Sequence, residues 1–178
     1  LAALGISALV RVAGGCWSPG MPGAPRTPGM VLREGVAKLG LWMNEPVERR
    51  CRGFVRLLLK WARVHNLTAA RGPLEVVTRH ILDSLAIMPL LRGRRMVDIG
   101  SGAGFPGVPL ALLCPQKDWT LIEARYKRVS FLEHAAARLQ LESISVVHSR
   151  VQDYRPQEVS DTLVARAFAP LPEFVDST

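Results

Sequence analysis

Apolar and polar positions follow a helical period in the first half of the chain. Between residues 47 and 64 the apolar side chains recur at the i, i+3, i+4, i+7 spacing of a helix with one buried face, and they are Phe54, Leu57, Leu58 and Trp61. A second helix is predicted from Pro73 to about Met88, because proline is favoured in a first helical turn and Pro89 closes the segment. The chain before residue 92 is therefore predicted to be largely helical.

After residue 95 the pattern changes to short apolar strands that alternate with helices. Strands are predicted at 96–99, 119–123, 144–148 and 162–166, and helices at 106–113 and 126–140. The connection between the third and fourth strands contains a short helix or none. Strands that alternate with helices build βαβ units, so the predicted fold class is α/β with a parallel sheet.

The first 29 residues differ in composition from the rest. Residues 18–29 contain four prolines and three glycines, a density that breaks helices and strands. We interpret residues 1–29 as a disordered or non-native tail. Residues 30–178 are interpreted as one domain, with a helical part over 30–92 and a sheet-containing part over 93–178. No apolar run reaches the length of a membrane span, so no membrane contact is expected.

The stretch VDIGSGAGFPGVP, residues 97–109, places four glycines in eight residues directly after an apolar strand. Gly102, Gly104 and Gly107 fit the pattern G-x-G-x-x-G, and Glu123 ends the next strand 21 residues after Gly102. This spacing is typical of dinucleotide sites, in which the acid binds a ribose hydroxyl. Tight packing of a strand-to-helix turn would explain the same glycines without a ligand.

Asp98 indicates which ligand the loop favours. It precedes Gly100 by two residues, at the end of the strand, where its carboxylate would repel a pyrophosphate and attract a cation. S-adenosylmethionine (SAM) carries an α-ammonium and a sulfonium but no phosphate, so we interpret the loop as a SAM site. Two alternatives remain open: a nicotinamide or flavin dinucleotide, and a structural role for Asp98 as a helix-capping carboxylate.

The ends of the last two predicted strands add candidates at the same sheet edge. Gln152 or Asp153, after the third strand, can hydrogen-bond the adenine amino group. Arg166, after the fourth strand, can hold the methionine carboxylate or a substrate phosphate. An ordinary ion pair at the rim of the surface would also explain Arg166.

Basic residues are concentrated just before the glycine loop. The chain has 23 Lys+Arg and 15 Asp+Glu, a formal net charge of +8. Residues 49–95 contain eleven basic and two acidic residues, so this segment carries +9 and the remainder −1. Its position beside a cofactor site favours a polyanionic substrate such as RNA. The RNA-binding candidates are Arg52, Arg56, Lys60 and Arg63, on one face of the first helix, with Arg79 and His80. Arg79 is also expected to pair with Asp83, one turn away.

The cysteines indicate a reducing compartment. Cys16, Cys51 and Cys114 are odd in number and form no C-x-x-C pair, which argues against a disulfide framework and a structural zinc site. No second His, Cys or acidic residue lies at metal-ligand spacing from a histidine, so no metal is expected. These features favour a cytoplasmic location.

Five motifs occur in order along the chain: KWARVHNLT (60–68), TRHILDSL (78–85), VDIGSGAGFPGVPLAL (97–112), KRVSFL (127–132) and ARAFA (165–169). They resemble the small-subunit ribosomal RNA methyltransferase G family, also called glucose-inhibited division protein B. The resemblance implies a Rossmann-like, SAM-dependent methyltransferase with an N-terminal helical extension. It further implies methylation of N7 of a guanine in bacterial 16S rRNA, with the 30S subunit as partner.

The resemblance also assigns roles to individual residues, and it leaves two alternative functions open. It implies cofactor contacts at Gly100, Phe105, Val151, Gln152 and Arg166. Gln152 stands where an acid is expected, so Asp153 is the candidate for that role. Guanine N7 has a lone pair and no proton, so no catalytic base is expected. The alternatives are an RNA- or SAM-binding relic without turnover and a SAM methyltransferase that acts on a substrate other than RNA.

Family members continue after the fourth strand with a further helix and further strands. The resemblance therefore predicts that the chain is C-terminally incomplete. It also predicts that the fourth strand lies beside the first and leaves one edge of the sheet exposed.

Overall fold

The computed structural model describes residues 9–11, 26–156 and 158–166, and its centre is a sheet of parallel strands. The strands are β1 (Leu9–Arg11), β2 (Arg95–Ile99), β3 (Asp118–Glu123), β4 (Ile144–His148) and β5 (Thr162–Ala165). They lie in the order β1-β5-β2-β3-β4, and every neighbouring pair is parallel. The predicted α/β fold with a Rossmann-like parallel sheet is confirmed.

Helices cover the sheet and form the N-terminal part. They are α1 (Pro28–Lys38), α2 (Glu45–His65), α3 (Pro73–Val76), α4 (Leu82–Leu85), α5 (Gly107–Leu113) and α6 (Tyr126–Leu139). A π-helical turn, Val77–Ile81, joins α3 to α4 without a break, and short 3-10 turns lie at Met88–Leu90 and Val151–Asp153. Within the residues that the structure describes, no helix combines the length and apolarity that crossing a membrane requires.

The strand order creates one edge at which a ligand can bind. From β2 the sheet grows through β3 to β4 in one direction, and β5 pairs with the other side of β2. The register places Asp98 opposite Leu121 of β3 and Val164 of β5, so three carboxyl ends lie side by side. Ligands of doubly wound sheets bind outside the carboxyl ends at such a switch in strand order. The glycine loop follows β2 at this position.

A shared hydrophobic core joins the helical part to the sheet. On α2 the side chains of Cys51, Phe54 and Leu58 are completely buried, while Leu57 and Trp61 are half-buried against the same core. The predicted helix over residues 47–64 is therefore confirmed. Its N-cap is Asn44, whose side chain accepts a hydrogen bond from a backbone N–H of the first turn.

Two stretches of the predicted N-terminal tail have regular structure. Helix α1 begins at Pro28, and the side chain of Thr27 caps it by accepting a hydrogen bond from the N–H of Met30 at 3.2 Å. Strand β1 lies within the tail as well. The interpretation of residues 1–29 as a tail fails at these stretches, because proline in a first helical turn starts a helix and does not break it. The other residues before Arg26 lie outside the described part of the chain.

The resemblance predicts that the fourth strand, which is β5 in the structure, has an exposed edge. In the structure both edges of β5 are paired over part of its length. One side of β5 pairs with β2, as expected, and the other side pairs with β1 from Leu163 to Ala165. The unpaired N–H and C=O groups of an edge strand favour pairing with another segment, and the N-terminal strand provides it. The end of the ARAFA motif, after Arg166, lies outside the described residues.

Substitution of Gly35 by alanine tests the contact between α1 and α4. A Cβ atom at Gly35 would lie 2.3 Å from Cδ1 of the buried Leu82. Overpacking of this kind costs about 1–3 kcal/mol, and the gain in helix propensity is at most ~1 kcal/mol. We expect Gly35→Ala to lower the melting temperature by roughly 2–4 °C per kcal/mol lost.

Gly72→Ser is the control, because a Cβ atom there would meet nothing within 4 Å and serine is favoured at the N-cap of α3, which Gly72 occupies. Thermal unfolding followed by circular dichroism compares the two variants. Equal melting temperatures would contradict the close contact at Gly35.

Candidate active site

A cavity of about 330 Å³ opens at the carboxyl edge of the sheet beside the glycine loop. Volumes of roughly 300–1,000 Å³ are typical of small-molecule sites. The predicted cofactor residues among its lining are Gly100, Glu123, Val151 and Gln152. Asp153, the expected substitute for an acid at Gln152, is exposed and does not line this cavity. The predicted sheet edge therefore contains a cavity, and Gln152 lines it whereas Asp153 does not.

Glu123 shapes the side of the loop that faces the cavity. Its buried carboxylate accepts a hydrogen bond from the N–H of Gly102 at 2.9 Å and another from the N–H of Arg125 at 2.8 Å. The guanidinium of Arg128 lies 3.5 Å from the same carboxylate. A carboxylate offers about four acceptor sites, so capacity for ligand hydroxyls remains. Glu123 thus both holds the loop and can bind the hydroxyls of a ribose.

Asp98 lies completely buried beneath the loop, not at its surface. Its Oδ2 accepts a hydrogen bond from the N–H of Gly107 at 2.9 Å, at the first residue of α5. The alternative that Asp98 is a helix-capping carboxylate therefore holds for Oδ2 and not for Oδ1. Oδ1 is buried and has no hydrogen-bond partner among the described residues. A buried unpaired acceptor is costly, so a cation or an N–H donor that reached Oδ1 would be stabilised.

The charge of Asp98 depends on pH near neutrality. Burial raises the pKa of Asp98 to about 7, although hydrogen bonds and the nearby charge of Arg166 act in the opposite direction. Near neutral pH the carboxyl group is therefore only partly ionised. A bound cation would favour the ionised form and lower this pKa.

The glycines of the loop serve two purposes. A Cβ atom at Gly104 would lie 2.7 Å from Val108, and one at Gly107 would lie 2.6 Å from Oδ2 of Asp98. These two glycines permit tight packing, as the alternative without a ligand proposes. Gly102 differs, because its φ is +59° and a Cβ atom there would meet nothing closer than 3.7 Å. The backbone at Gly102 is therefore open to a ligand.

Arg166 is held by three neighbours at the end of β5. Its guanidinium lies over the ring of Phe105 at 4.9 Å from the centroid, and its Nη1 is 3.0 Å from Nδ1 of His80. Oδ2 of Asp83 lies 3.8 Å from the same nitrogen. Only 19% of the Arg166 side chain is exposed, which excludes an ordinary surface ion pair. Phe105 is itself buried and packs against Arg166 and His80.

His80 acts in this cluster as a neutral acceptor. Burial, and then the charge of Arg166, lower the pKa of His80 to about 4. Arginine has donors only, so Nδ1 of His80 accepts, and its proton belongs on Nε2, which lies 3.5 Å from Oγ1 of Thr68. A neutral, half-buried imidazole offers no positive charge to a phosphate. A contact of His80 with RNA, as predicted from the sequence, would therefore be that of a neutral side chain.

The helix that carries His80 also forms a different ion pair from the predicted one. Arg79 pairs with Glu75 at 3.1 Å, and the guanidinium 3.8 Å from Asp83 belongs to Arg166. Glu75 lies one turn before Arg79, which is the favoured orientation for an acid and a base on a helix. The sequence missed Asp83 as a partner of Arg166, because a contact between such distant segments has no periodic signal.

The predicted basic face of α2 divides in the structure. Arg56 and Lys60 line a groove between α2 and the end of α6. Arg52 turns towards the buried Glu48, with Nε at 3.7 Å from its carboxylate, and Arg63 is exposed near the end of the helix. The groove contains three further basic residues, Arg49, Arg50 and Arg138, which were not among the RNA-binding candidates. Arg49 and Arg50 adjoin the predicted basic face in sequence, whereas Arg138 joins them only through folding.

Further arginines line the cavity at the sheet edge. Arg125 is the N-cap of α6, Arg128 lies in its first turn, and Arg150 follows β4. For Arg125 and Arg150, the position just after a strand was the available signal. Among the described residues, no three His, Cys, Asp or Glu side chains form a group that could hold a metal ion.

Comparison with known proteins gives the family. The GidB family model, rRNA small subunit methyltransferase G, matches residues 48–178. The chain belongs to this family. The resemblance drawn from the five sequence motifs is thereby confirmed.

Individual members of the rRNA small subunit methyltransferase G family are similar over most of the chain. Proteins named Ribosomal RNA small subunit methyltransferase G include one from Coxiella burnetii (strain RSA 331 / Henzerling II), which is 40% identical over 147 residues, 83% of this chain and 72% of the relative. The one from Ectopseudomonas mendocina (strain ymp) is 41% identical over 149 residues, 83% and 70% of the two chains. The one from Pseudomonas aeruginosa (strain LESB58) is 43% identical over 148 residues, 83% and 69%.

The raised pKa of Asp98 predicts a pH dependence of stability. In the unfolded chain this carboxyl group titrates near 3.8, and in the folded protein near 7. Between these values the folded state holds one proton more, so the free energy of unfolding falls as pH rises, by up to about 1.4 kcal/mol per pH unit. Asp98→Asn cannot titrate and should lose less stability than the unmodified protein between pH 5 and 7. Urea unfolding at several pH values measures the difference, and parallel curves for the two proteins would contradict it.

Proposed function

We propose that the chain is an enzyme that transfers a methyl group from SAM to N7 of a guanine in 16S rRNA. The observation that carries the proposal is the buried, unpaired Oδ1 of Asp98 beneath the glycine loop of a chain in this family. A carboxylate in that position favours a cationic ligand over a pyrophosphate. Proteins of the family with about 40% identity carry a name that states small-subunit rRNA methylation.

The chemistry of the cavity is compatible with SAM. Glu123, in the cavity lining, offers acceptor sites for ribose hydroxyls. Oδ1 of Asp98 does not line the cavity, but it offers a negative charge beneath the adjoining loop for a cationic group. Gln152, in the cavity lining, has both a donor and an acceptor for the edge of an adenine. Arg166 lies close enough to lower the pKa of Asp98 and can hold a carboxylate. Gly100 and Gly102 leave the loop backbone open on the same side.

The residues of the chain would act by orientation and not by proton transfer. When bound, SAM supplies an electrophilic methyl group, which guanine N7 attacks while the electron pair of the breaking C–S bond remains on sulfur. Because N7 has a free lone pair, no side chain has to remove a proton. The cluster of Phe105, His80 and Asp83 holds Arg166 in place at the end of β5, from where it would orient the reactants. Orientation of two reactants can contribute roughly 7–11 kcal/mol to the lowering of a barrier.

The helical part is proposed to face the RNA. Residues 49–95 carry a net charge of +9, and the cavity at the sheet edge lies next to the loop that follows this segment. Of the candidate contacts, Arg56, Lys60, Arg63 and Arg79 have exposed side chains that can reach phosphates. Arg52 is exposed too but is close to Glu48. The proposed partner is 16S rRNA in the 30S subunit, in the cytoplasm and without a metal ion.

Methyl transfer from isotope-labelled SAM to 30S particles tests the function. The particles come from a strain that lacks this modification, and fully modified particles serve as the control. We expect label in 16S rRNA of the first sample only, and 7-methylguanosine after nuclease digestion and mass spectrometry. SAM binding without transfer would support a relic, and label in protein or a small molecule would support a different substrate.

Asp98→Asn tests the cofactor separately from the substrate. It keeps the size of the side chain and removes the charge beneath the loop, so we expect SAM affinity to fall more than tenfold in calorimetry, about 1.4 kcal/mol or more. Asp118→Asn removes an exposed carboxylate at the opposite end of the sheet and should leave SAM affinity unchanged. Unchanged affinity in Asp98→Asn, or tight binding of NAD to the unmodified chain, would overturn the SAM assignment.

A further inference from the structure

A groove of about 350 Å³ lies between α2 and the end of α6, and we name it the α2–α6 groove. Its floor consists of Gly53, Leu57 and Leu139, and its walls carry five basic side chains, Arg49, Arg50, Arg56, Lys60 and Arg138. A Cβ atom at Gly53 would lie 3.1 Å from Leu139, so this glycine allows the two helices to approach. The groove is thus a product of helix packing and is not visible in the sequence.

The positive charges of the groove are largely uncompensated. Arg49 pairs with Glu45 at 2.9 Å, but both side chains are exposed, and such pairs are worth little in water. Among the described residues, no carboxylate lies within 4 Å of Arg50, Arg56, Lys60 or Arg138. Like charges in one concave surface repel each other and concentrate a positive potential, which attracts anions. Packing alone does not explain why five cations converge here.

The shape of the groove favours a chain of phosphates over a single anion. From Arg49 to Lys60 the basic residues extend along roughly 16 Å of helix axis, at about 1.5 Å per residue. Its lining contains no aromatic side chain on which a base could stack. Contacts to phosphates fix the register of a nucleic acid and carry no direct sequence information. Guanidinium groups suit this role because they bind phosphate oxygens through two parallel hydrogen bonds.

The groove and the cavity at the sheet edge lie at opposite ends of α6. Arg128, near the start of this helix, lines the cavity, and Arg138, near its end, lines the groove. Ten residues of helix separate them by roughly 15 Å. A neighbouring cavity shares Arg50 with the groove but also contains Glu142, so the purely basic surface ends there. One RNA molecule bound in both places would therefore contact the protein at two separate points.

We propose that the α2–α6 groove binds the sugar–phosphate backbone of the substrate RNA away from the guanine that is methylated. This inference rests on the proposed function for the identity of the RNA. The groove increases affinity for the folded RNA around the target, independently of sequence, and takes no part in the chemistry. It explains the basic residues on α2 that point away from the cavity at the sheet edge.

The double substitution Arg50→Gln, Arg138→Gln tests the groove. Lys38→Gln with Lys117→Gln removes the same charge outside residues 49–95, the groove and the cavity at the sheet edge, and is the matched control. With unmodified 30S particles, we expect the groove variant to raise KM for the particles at least tenfold while kcat and SAM affinity stay within twofold of the unmodified protein. The control should change KM by less than twofold.

Direct binding makes the test independent of turnover. Filter binding of protein-free 16S rRNA over a series of KCl concentrations should show a salt slope that is smaller by about 1.4 in the groove variant, at about 0.7 per lost phosphate contact on single strands. This result would support the groove even if the chain had no methyltransferase activity. Equal losses in the groove variant and the control would show an effect of net charge only and would overturn the proposal.

Two further outcomes would also overturn it. Unchanged binding to both RNA and particles would make the groove a solvated surface. Lost binding to particles with unchanged binding to protein-free rRNA would assign the groove to a ribosomal protein. Circular dichroism at the assay temperature verifies folding, and Arg138→Gln alone, an exposed substitution, should show about half the change in salt slope.

Discussion

The contact between Phe54 of α2 and the glycine loop is the constraint on which the other features depend. The ring of Phe54 lies 5.4 Å from that of Phe105 and 6.2 Å from that of Phe131 on α6. A Cβ atom at Gly104 would lie 3.3 Å from Phe54, so the backbone of the loop and the helix are in close contact. The basic helical part and the sheet therefore form one packed unit. Anything bound to the exposed face of α2 would therefore lie at a fixed distance from the carboxyl edge of the sheet.

Two buried groups of opposite sign lie near the carboxyl edge of the sheet. Asp98 is completely buried, and its Oδ1 has no hydrogen-bond partner among the described residues. Arg166 is largely buried, and Phe105, His80 and Asp83 hold its guanidinium in place, with His80 and Asp83 both beside Nη1. Each group therefore keeps capacity for a further contact. The site thus presents a negative acceptor beneath the loop, next to a positive group with a fixed position.

Local patterns predicted the elements, and three-dimensional packing determined most side-chain partners. The period of the apolar residues was sufficient for α2 and α6, and the alternation of strands and helices was sufficient for a parallel sheet, although it did not predict β1. The strand ends also located the cavity, since Glu123 and Gln152 both line it. The partner of Arg166 was not predictable in this way, because Asp83 is far from it in sequence and Arg79 offered a nearer pairing.

The remaining failures have the same origin. Thr27 and Pro28 looked like the end of a broken segment, although together they start a helix. Arg138 was assigned to no site, since only the antiparallel packing of α2 on α6 brings it to Arg50. His80 was an RNA-binding candidate, and the sequence did not show that its burial against Phe105 makes it neutral. Burial and contacts between distant segments are properties of the folded chain, and no local spacing encodes them.

The π-helical turn at Val77–Ile81 has a consequence for the length of the chain in this region. Such a turn holds one residue more than the α-helical turn it replaces. The turn widens locally to hold the extra residue, so deleting one of its five residues would restore a regular helix and leave its two ends in nearly the same rotation. Val76 and Leu85, both fully buried, would still point into the same core. A one-residue deletion elsewhere in this helix would instead rotate its ends by about 100° relative to each other, so the π-helical turn is the place where the length of this segment can change.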